Sequence, residues 1–217
     1  MILIEDIFDR HGLVALREAV AALPFEDGAK SVGRLARQVK RNAQAAPGPA
    51  RDAVLARVEA ALLNHPVFAS AAQPKGIARI LISRYGIGQA YGAHVDDALM
   101  QGARTDLSFT LALTPPDAYE GGALVIEDRV ESRGFRLKAG ELILYPSDTL
   151  HEVQPVTSGE RVAIVGWVTS WIRSPAQRDV LFDLDAAIAA EEASTSDRAQ
   201  LSRLARTRSN LLRMWAE

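Results

Sequence analysis

Residues 90–97 read AYGAHVDD, in a chain with four histidines. On a strand, residues i and i+2 face the same way. His94 and Asp96 can therefore point inward together. His151, in YPSDTLHEVQPV, opens a strand-like run directly after a turn. His11, just before Gly12, and His65, just before Pro66, lie in helix-like stretches and read as surface or capping residues. His94, Asp96 and His151 supply two imidazoles and one carboxylate. Such a facial set holds a non-haem Fe(II) and leaves the opposite positions open for a cosubstrate and O2. H-x-D alone is a weak signal, and a histidine near a strand end is commonly structural.

Arg161 sharpens the reading. It heads RVAIVGWVTSW and, by strand parity, shares a face with Ala163, Val165 and Trp167. A guanidinium on an apolar face is costly unless it meets an anion. Its planar fork fits a carboxylate at two points. An Fe(II) site with such an arginine one strand away is what a bound 2-oxoglutarate requires. The 1-carboxylate and ketone oxygen would chelate iron, and the distal carboxylate would meet the arginine. An internal Arg–Asp or Arg–Glu salt bridge is the other use for Arg161.

The elements that must position these residues fall into three textures. Residues 1–75 are helix-like, with apolar residues at helical spacing in LVALREAVAAL (13–23) and RDAVLARVEAALLNHPVF (51–68). Between them Lys30, Arg34, Arg37, Lys40 and Arg41 crowd together. That run reads as a solvated helix face, or as a positive rim for an acidic substrate or partner. Residues 76–173 are short β-rich runs separated by Gly, Pro and Asp turn signals, spaced for an antiparallel sandwich or barrel. From Ser174 the pattern is helical again, and Ser174–Pro175 make a good N-cap and N1 pair. Ser196 or Asp197 is expected to cap a last helix carrying Leu201, Leu204, Leu211, Leu212 and Trp215 on one side. That helix should pack on the core or on a second copy.

Composition excludes several classes. The chain has 217 residues, enough for one well-filled core. With 48% hydrophobic and 24% charged residues it is ordinary globular protein. A net charge of −2 argues against a general nucleic-acid binder. The absence of cysteine removes disulfides, zinc–thiolate sites and cysteine-ligated clusters. No signal peptide or membrane span is visible, so a cytoplasmic protein is expected.

RYGIGQAYGAHVD, RTDLSFTLAL, YEGGALVIE and LILYPSDTLHEVQPVTSGER together resemble the Fe(II)/2-oxoglutarate dioxygenases of the prolyl 4-hydroxylase superfamily, and within it the bacterial PKHD-type hydroxylases. The likeness is strongest over 76–172 and extends into GAKSVGRLARQVKRNAQ, RDVLFDLDAAI and NLLRMWAE. It implies a mainly β fold with flanking α, in which a double-stranded β-helix (jelly-roll) core at 76–173 carries N-terminal helices (1–75) and a C-terminal helical segment (174–217). It implies His94, Asp96 and His151 as iron ligands and Arg161 as the partner of the 2-oxoglutarate 5-carboxylate. Tyr85, Leu124 and Trp167 match positions that line the cosubstrate pocket. Leu111 falls about where many prolyl hydroxylases have a pocket tyrosine, so the second hydrogen bond to the cosubstrate is unassigned.

The implied reaction consumes O2 and 2-oxoglutarate, gives CO2 and succinate, and hydroxylates a C–H bond of an unidentified substrate, a peptidyl residue such as proline or a small metabolite. L-ascorbate would keep the iron reduced, and the group is linked to iron uptake. A homo-oligomer through the C-terminal helices is a possible partner. Asp96 argues against a halogenase, which would have Ala or Gly there. Trp167, where a nucleic-acid demethylase of the AlkB type would have a second arginine, argues against that class. A non-catalytic iron or 2-oxoglutarate sensor and an iron-free jelly-roll binding module are the readings from other classes. The substrate pocket is expected from loops such as 97–105 and 115–121.

Overall fold

Strand Leu107–Ala112, LSFTLA, is buried at every residue, and its pleat divides the interior in two. Leu107, Phe109 and Leu111 join a helix-covered core with Ile82, Leu142, Leu144 and Ile164. Ala112, on the other face, joins a second core of Tyr85, Leu124, Ile126, Ile143 and Tyr145. A strand covered on both faces reads as a continuous run, without polar alternation.

The computed structural model describes residues 1–28, 39–127, 130–194 and 198–217. The strands run β1 (Ile2–Ile4), β2 (Phe25–Asp27), β3 (Lys40–Arg41), β4 (Ala43–Ala45), β5 (Pro74–Tyr85), β6 (Ala90–His94), β7 (Leu99–Met100) and β8 (Ala103–Arg104). They continue as β9 (Leu107–Ala112), β10 (Tyr119–Gly121), β11 (Leu124–Glu127), β12 (Ser132–Phe135), β13 (Leu142–Pro146), β14 (His151–Val153), β15 (Val156–Gly159) and β16 (Arg161–Ser170). Among the described residues the major sheet has seven antiparallel strands in the order β1-β13-β9-β16-β5-β4-β2. The minor sheet has five, β12-β11-β14-β6-β3. The second core fills the space between them, as in a jelly roll.

Helices cover the outer face of the major sheet. Asp9 caps α1 (Arg10–Ala21) by accepting the Gly12 N–H at 2.6 Å. Pro49 opens α2 (Pro49–Asn64) and Pro66 opens α3 (Pro66–Ala72). Leu16, Val58, Leu62 and Phe68 from these helices are fully buried on the sheet. Each such side chain contributes roughly 1.5–3 kcal/mol. The C-terminal hairpin of α4 (Pro175–Ser194) and α5 (Arg198–Trp215) docks on α3. Asp185 of α4 accepts from Ser70 Oγ at 2.7 Å and is paired with Arg208 of α5.

Three sequence expectations need correction. Residues 1–75 are not only helical, because β1, β2 and β4 extend the major sheet and β3 the minor one. Each is two or three residues long, too short to show a period. The stretch 51–68 is two helices, because Pro66 cannot continue α2 and His65 instead caps α3, accepting the Phe68 N–H. Lys40 is on a strand and buried, not on a solvated helix face. Lys30, Arg34, Arg37, Ser196 and Asp197 lie outside the described residues.

Candidate active site

His94 ends β6 and His151 begins β14, and the two residues sit opposite each other on one rung of the minor sheet. Their ring centres are 4.3 Å apart. The same local device orients both. His94 Nδ1 lies 2.8 Å from the Gly92 carbonyl and His151 Nδ1 lies 2.9 Å from the Thr149 carbonyl, two residues back in each case. A carbonyl only accepts, so Nδ1 carries the proton and Nε2 presents a lone pair. This is how metal-binding imidazoles are held.

Asp96 follows β6 in a loop that Thr105 fastens by donating to the Asp97 carbonyl and to the Ala98 carbonyl. Its Oδ1 lies 3.9 Å from His94 Nε2 and its Oδ2 3.7 Å from His151 Nε2. One donor atom from each of the three residues falls within 4.8 Å of the others. The Ser108 hydroxyl donates to Asp96 Oδ2 at 2.6 Å and lies 2.9 Å from Ser147 Oγ. Ser108 belongs to β9, so the carboxylate is braced by the major sheet while both imidazoles come from the minor one.

Burial, then the neighbouring His151, lowers His94 to about 4. The imidazole is neutral at pH 7, as a ligand must be. The His94 ring stacks on Tyr91 at 3.6 Å and 17°. Two nitrogens and a carboxylate oxygen converging from one side suit Fe(II) and leave the other side open.

Arg161 opens β16 and sits opposite Tyr85 on β5. It is 6% exposed, and its guanidinium lies 5.5 Å from the Tyr85 ring centre. Its Nη1 is buried without a hydrogen-bond partner. A buried cationic donor left unsatisfied costs at least about 1–3 kcal/mol. A carboxylate would relieve that cost. No Arg–Asp or Arg–Glu bridge to Arg161 is present among the described residues.

Tyr85, Leu124 and Trp167 line the cleft between the sheets, together with the three candidate ligands. The Arg161 guanidinium stands against the ring of Tyr85, which lines the cleft. Leu111 is a correction. It faces the helix-covered core, fully buried, and Thr110 lines the cleft instead. Strand parity from Ser108 would have predicted this.

Tyr145 and Arg79, which the sequence did not single out, also line the cleft, as does Lys40, which it offered only as part of a positive rim. Tyr145 stands 5.2 Å, edge-on, from the His151 ring. Burial, then the negative charge of Asp96, pushes its phenol well above the ordinary range. It therefore stays a protonated donor. Cross-strand pairing sets Tyr145, Ser108, Trp167 and Arg79 in one row across the major sheet. Their alternation with apolar residues was the available signal.

Comparison with known proteins agrees with this geometry. Residues 80–169 match the 2OG-Fe(II) oxygenase superfamily, and residues 176–217 match the PKHD-type hydroxylase C-terminal domain. A PKHD-type hydroxylase of Maricaulis maris (strain MCS10) is 48% identical over 202 residues, 93% of this chain and 92% of that protein. One from Parvibaculum lavamentivorans is 50% identical over 193 residues, 89% of this chain and 88% of that protein. The crystal structure of a 2OG-Fe(II) oxygenase family oxidoreductase from Burkholderia pseudomallei shares the fold at a TM-score of 0.56 and 21% identity, over 77% of this chain and 83% of that one. So does the viral collagen prolyl hydroxylase of Paramecium Bursaria Chlorella virus-1 in its 2OG complex, at 0.53 and 18%, over 78% and 95%. Relatives of this identity across nearly the whole length place the chain among the PKHD-type hydroxylases, and it is a 2-oxoglutarate-dependent dioxygenase.

Proposed function

We propose that the protein hydroxylates a C–H bond of a peptidyl residue such as proline, or of a small metabolite, with His94, Asp96 and His151 holding Fe(II) and Arg161 holding 2-oxoglutarate. The observation that carries this reading is the pairing of a convergent His–Asp–His set with a buried, unpartnered Arg161 Nη1. Bound Fe(II) with 2-oxoglutarate supplies the activation of O2 for C–H hydroxylation.

The chain's own residues do the rest. The Gly92 and Thr149 carbonyls aim both imidazoles. Ser108 holds the Asp96 carboxylate in register with them. Arg161 pairs with the distal carboxylate of the cosubstrate. Tyr85, with its phenol pushed up by burial, stays a neutral donor beside that pair. Leu124 and Trp167 wall the cleft and exclude water.

L-ascorbate as reductant, a link to iron uptake and a cytoplasmic location come with the family resemblance alone. A homo-oligomer through the C-terminal hairpin draws support only from the exposed Val180 and Met214. Sedimentation of the full chain against a Val180→Glu, Met214→Glu double variant tests it.

The deciding experiment is anaerobic reconstitution with Fe(II) and 2-oxoglutarate, read by the visible metal-to-ligand charge-transfer band. We expect the band in the wild type, none in Asp96→Ala or His151→Ala, and a large rise in the 2-oxoglutarate needed in Arg161→Ala. Near-normal turnover in Asp96→Ala or His151→Ala would sink the assignment. A band with negligible 2-oxoglutarate consumption would favour a sensor.

A further inference from the structure

The chain passes from the minor sheet to the major one at Asn42, between β3 and β4. Asn42 is 3% exposed, and among the described residues neither its Oδ1 nor its Nδ2 has a hydrogen-bond partner. A buried amide with both ends unmet carries a desolvation cost. A ligand that completes those bonds removes it.

Register shows where this amide stands. β4 pairs with β5 as Gln44 with Ser83 and Ala43 with Arg84, so the next rung sets Asn42 beside Tyr85. On its other side β4 pairs with β2 as far as Ala43 with Asp27, and the Gly28 N–H continues that ladder by donating to the Asn42 carbonyl at 2.9 Å. Asn42 is therefore still on the major sheet. Tyr85 in turn sits opposite Arg161 of β16. Directly opposite residues share a face. Asn42, Tyr85 and Arg161 thus stand in one row, with neighbouring strands roughly 5 Å apart. Gly28 leaves room for the amide, since a Cβ there would collide with Asn42 Oδ1.

The three side chains act on one another. Burial raises the Tyr85 phenol, while the charge of Arg161 and then the nearby Asn42 amide pull it the other way. Arg161 Nη1 is the other unmet donor of the row. One cationic donor and one neutral donor therefore flank a phenol that lines the cleft. A carboxylate accepts hydrogen bonds at both of its oxygens.

We propose that Asn42 is a cosubstrate-binding residue, its amide N–H joining Arg161 on the distal carboxylate of 2-oxoglutarate. This rests on the hydroxylase reading of the site. It supplies the second hydrogen bond that Leu111, turned toward the helix-covered core, does not make. The amide is neutral, so it adds a directed bond without burying another charge. It also makes the pocket selective, because a 2-oxo acid with an apolar end leaves Asn42 and Arg161 unmet.

The test follows the charge-transfer band while protein loaded anaerobically with Fe(II) is titrated with 2-oxoglutarate. A parallel titration uses 2-oxopentanoate, the same chain with a methyl group in place of the distal carboxylate. Asn42→Ala should raise the 2-oxoglutarate needed by about tenfold. Affinity for 2-oxopentanoate, and for Fe(II) alone by competition with a chelator, should hardly change. Asn42→Asp, of the same size, sets a carboxylate against Arg161 and should weaken 2-oxoglutarate further still.

Unchanged 2-oxoglutarate affinity in Asn42→Ala overturns the proposal and leaves the hydroxylase reading standing. An equal loss for 2-oxopentanoate or for Fe(II) alone also overturns it, because the role of Asn42 is then structural. No band in the wild type overturns the hydroxylase reading and this proposal with it. Should Asn42→Ala fail to fold, Asn42→Asp decides by the same criteria.

Discussion

Ser108 makes the three candidate ligands into a rigid set. Its hydroxyl is 2% exposed as part of its residue and donates to Asp96 Oδ2. Ser108→Ala leaves every ligand in place but frees the carboxylate to rotate. We expect metal affinity to fall about 10–100-fold, the usual cost of losing a ligand's hydrogen-bond support, measured by competition with a chelator. Unchanged affinity would mean that the loop alone sets Asp96. His94 gives a second prediction. Its value is lowered from 6.5 to about 4 by burial and then by His151. Between those values the unfolded chain takes up a proton that the folded chain refuses. The metal-free protein is therefore fully stable, on this account, above pH 6.5 and loses stability as pH falls toward 4, by on the order of 2–3 kcal/mol. Urea midpoints at pH 7 and pH 4.5 should shift less in His94→Gln than in the wild type; equal shifts would refute it. At this scale the sequence was most informative where residue types are rare. His94 and His151 stand out in a chain with four histidines, Asp96 by its spacing from His94, and Arg161 by the apolar face it shares. Lys40 and Tyr145 did not, because one lysine in a basic run and one tyrosine in an apolar strand look like their neighbours.

The long central strands announced themselves, and the short N-terminal ones did not. β5, β9, β13 and β16 carry long β-rich runs, and their order in the major sheet is what brings Arg161 beside Tyr85. β1 to β4 have two or three residues each and take their shape from the sheet edges they join. Pairing between distant segments supplies that information, and no local window contains it. Gly166 shows how tightly the central strands fit. A Cβ there would sit 2.6 Å from Phe109 Cζ. Gly166→Ala should destabilise the fold by about 1–3 kcal/mol through overpacking, read as a lowered Tm with the candidate ligands untouched. An unchanged Tm would show that Phe109 can yield. The C-terminal hairpin is also a stabilising element. Leu181 is fully buried, Phe182 packs against the helix-covered core, and Ser70 and Gln73 donate to Asp185. A chain ending at Ser174 should therefore lose thermal stability. If it melts at the same temperature, the hairpin only covers the surface.

Taken as a whole, the molecule distributes one site over two sheets. His94 and His151 belong to the minor sheet, while Asp96 is anchored on Ser108 of the major one. A metal held by all three ties the sheets together. Its binding adds to stability by mass action, about 2.7 kcal/mol at a concentration one hundred times Kd. Thermal melts with Mn(II) should rise in the wild type and stay flat in Asp96→Ala. A rise in both would place the metal elsewhere. Turn spacing pointed to an antiparallel sandwich or barrel and the family resemblance to a jelly roll, yet the division of ligands between sheets was not legible, since it depends on which strands face each other. The shared rung of His94 and His151 also sets rules for how this protein can change in length. Loops between the strands can gain or lose residues without moving either ring. A single insertion or deletion inside β6 or β14 turns every following side chain to the opposite face. Families built this way should vary freely in loop length while the two histidine strands keep a fixed count.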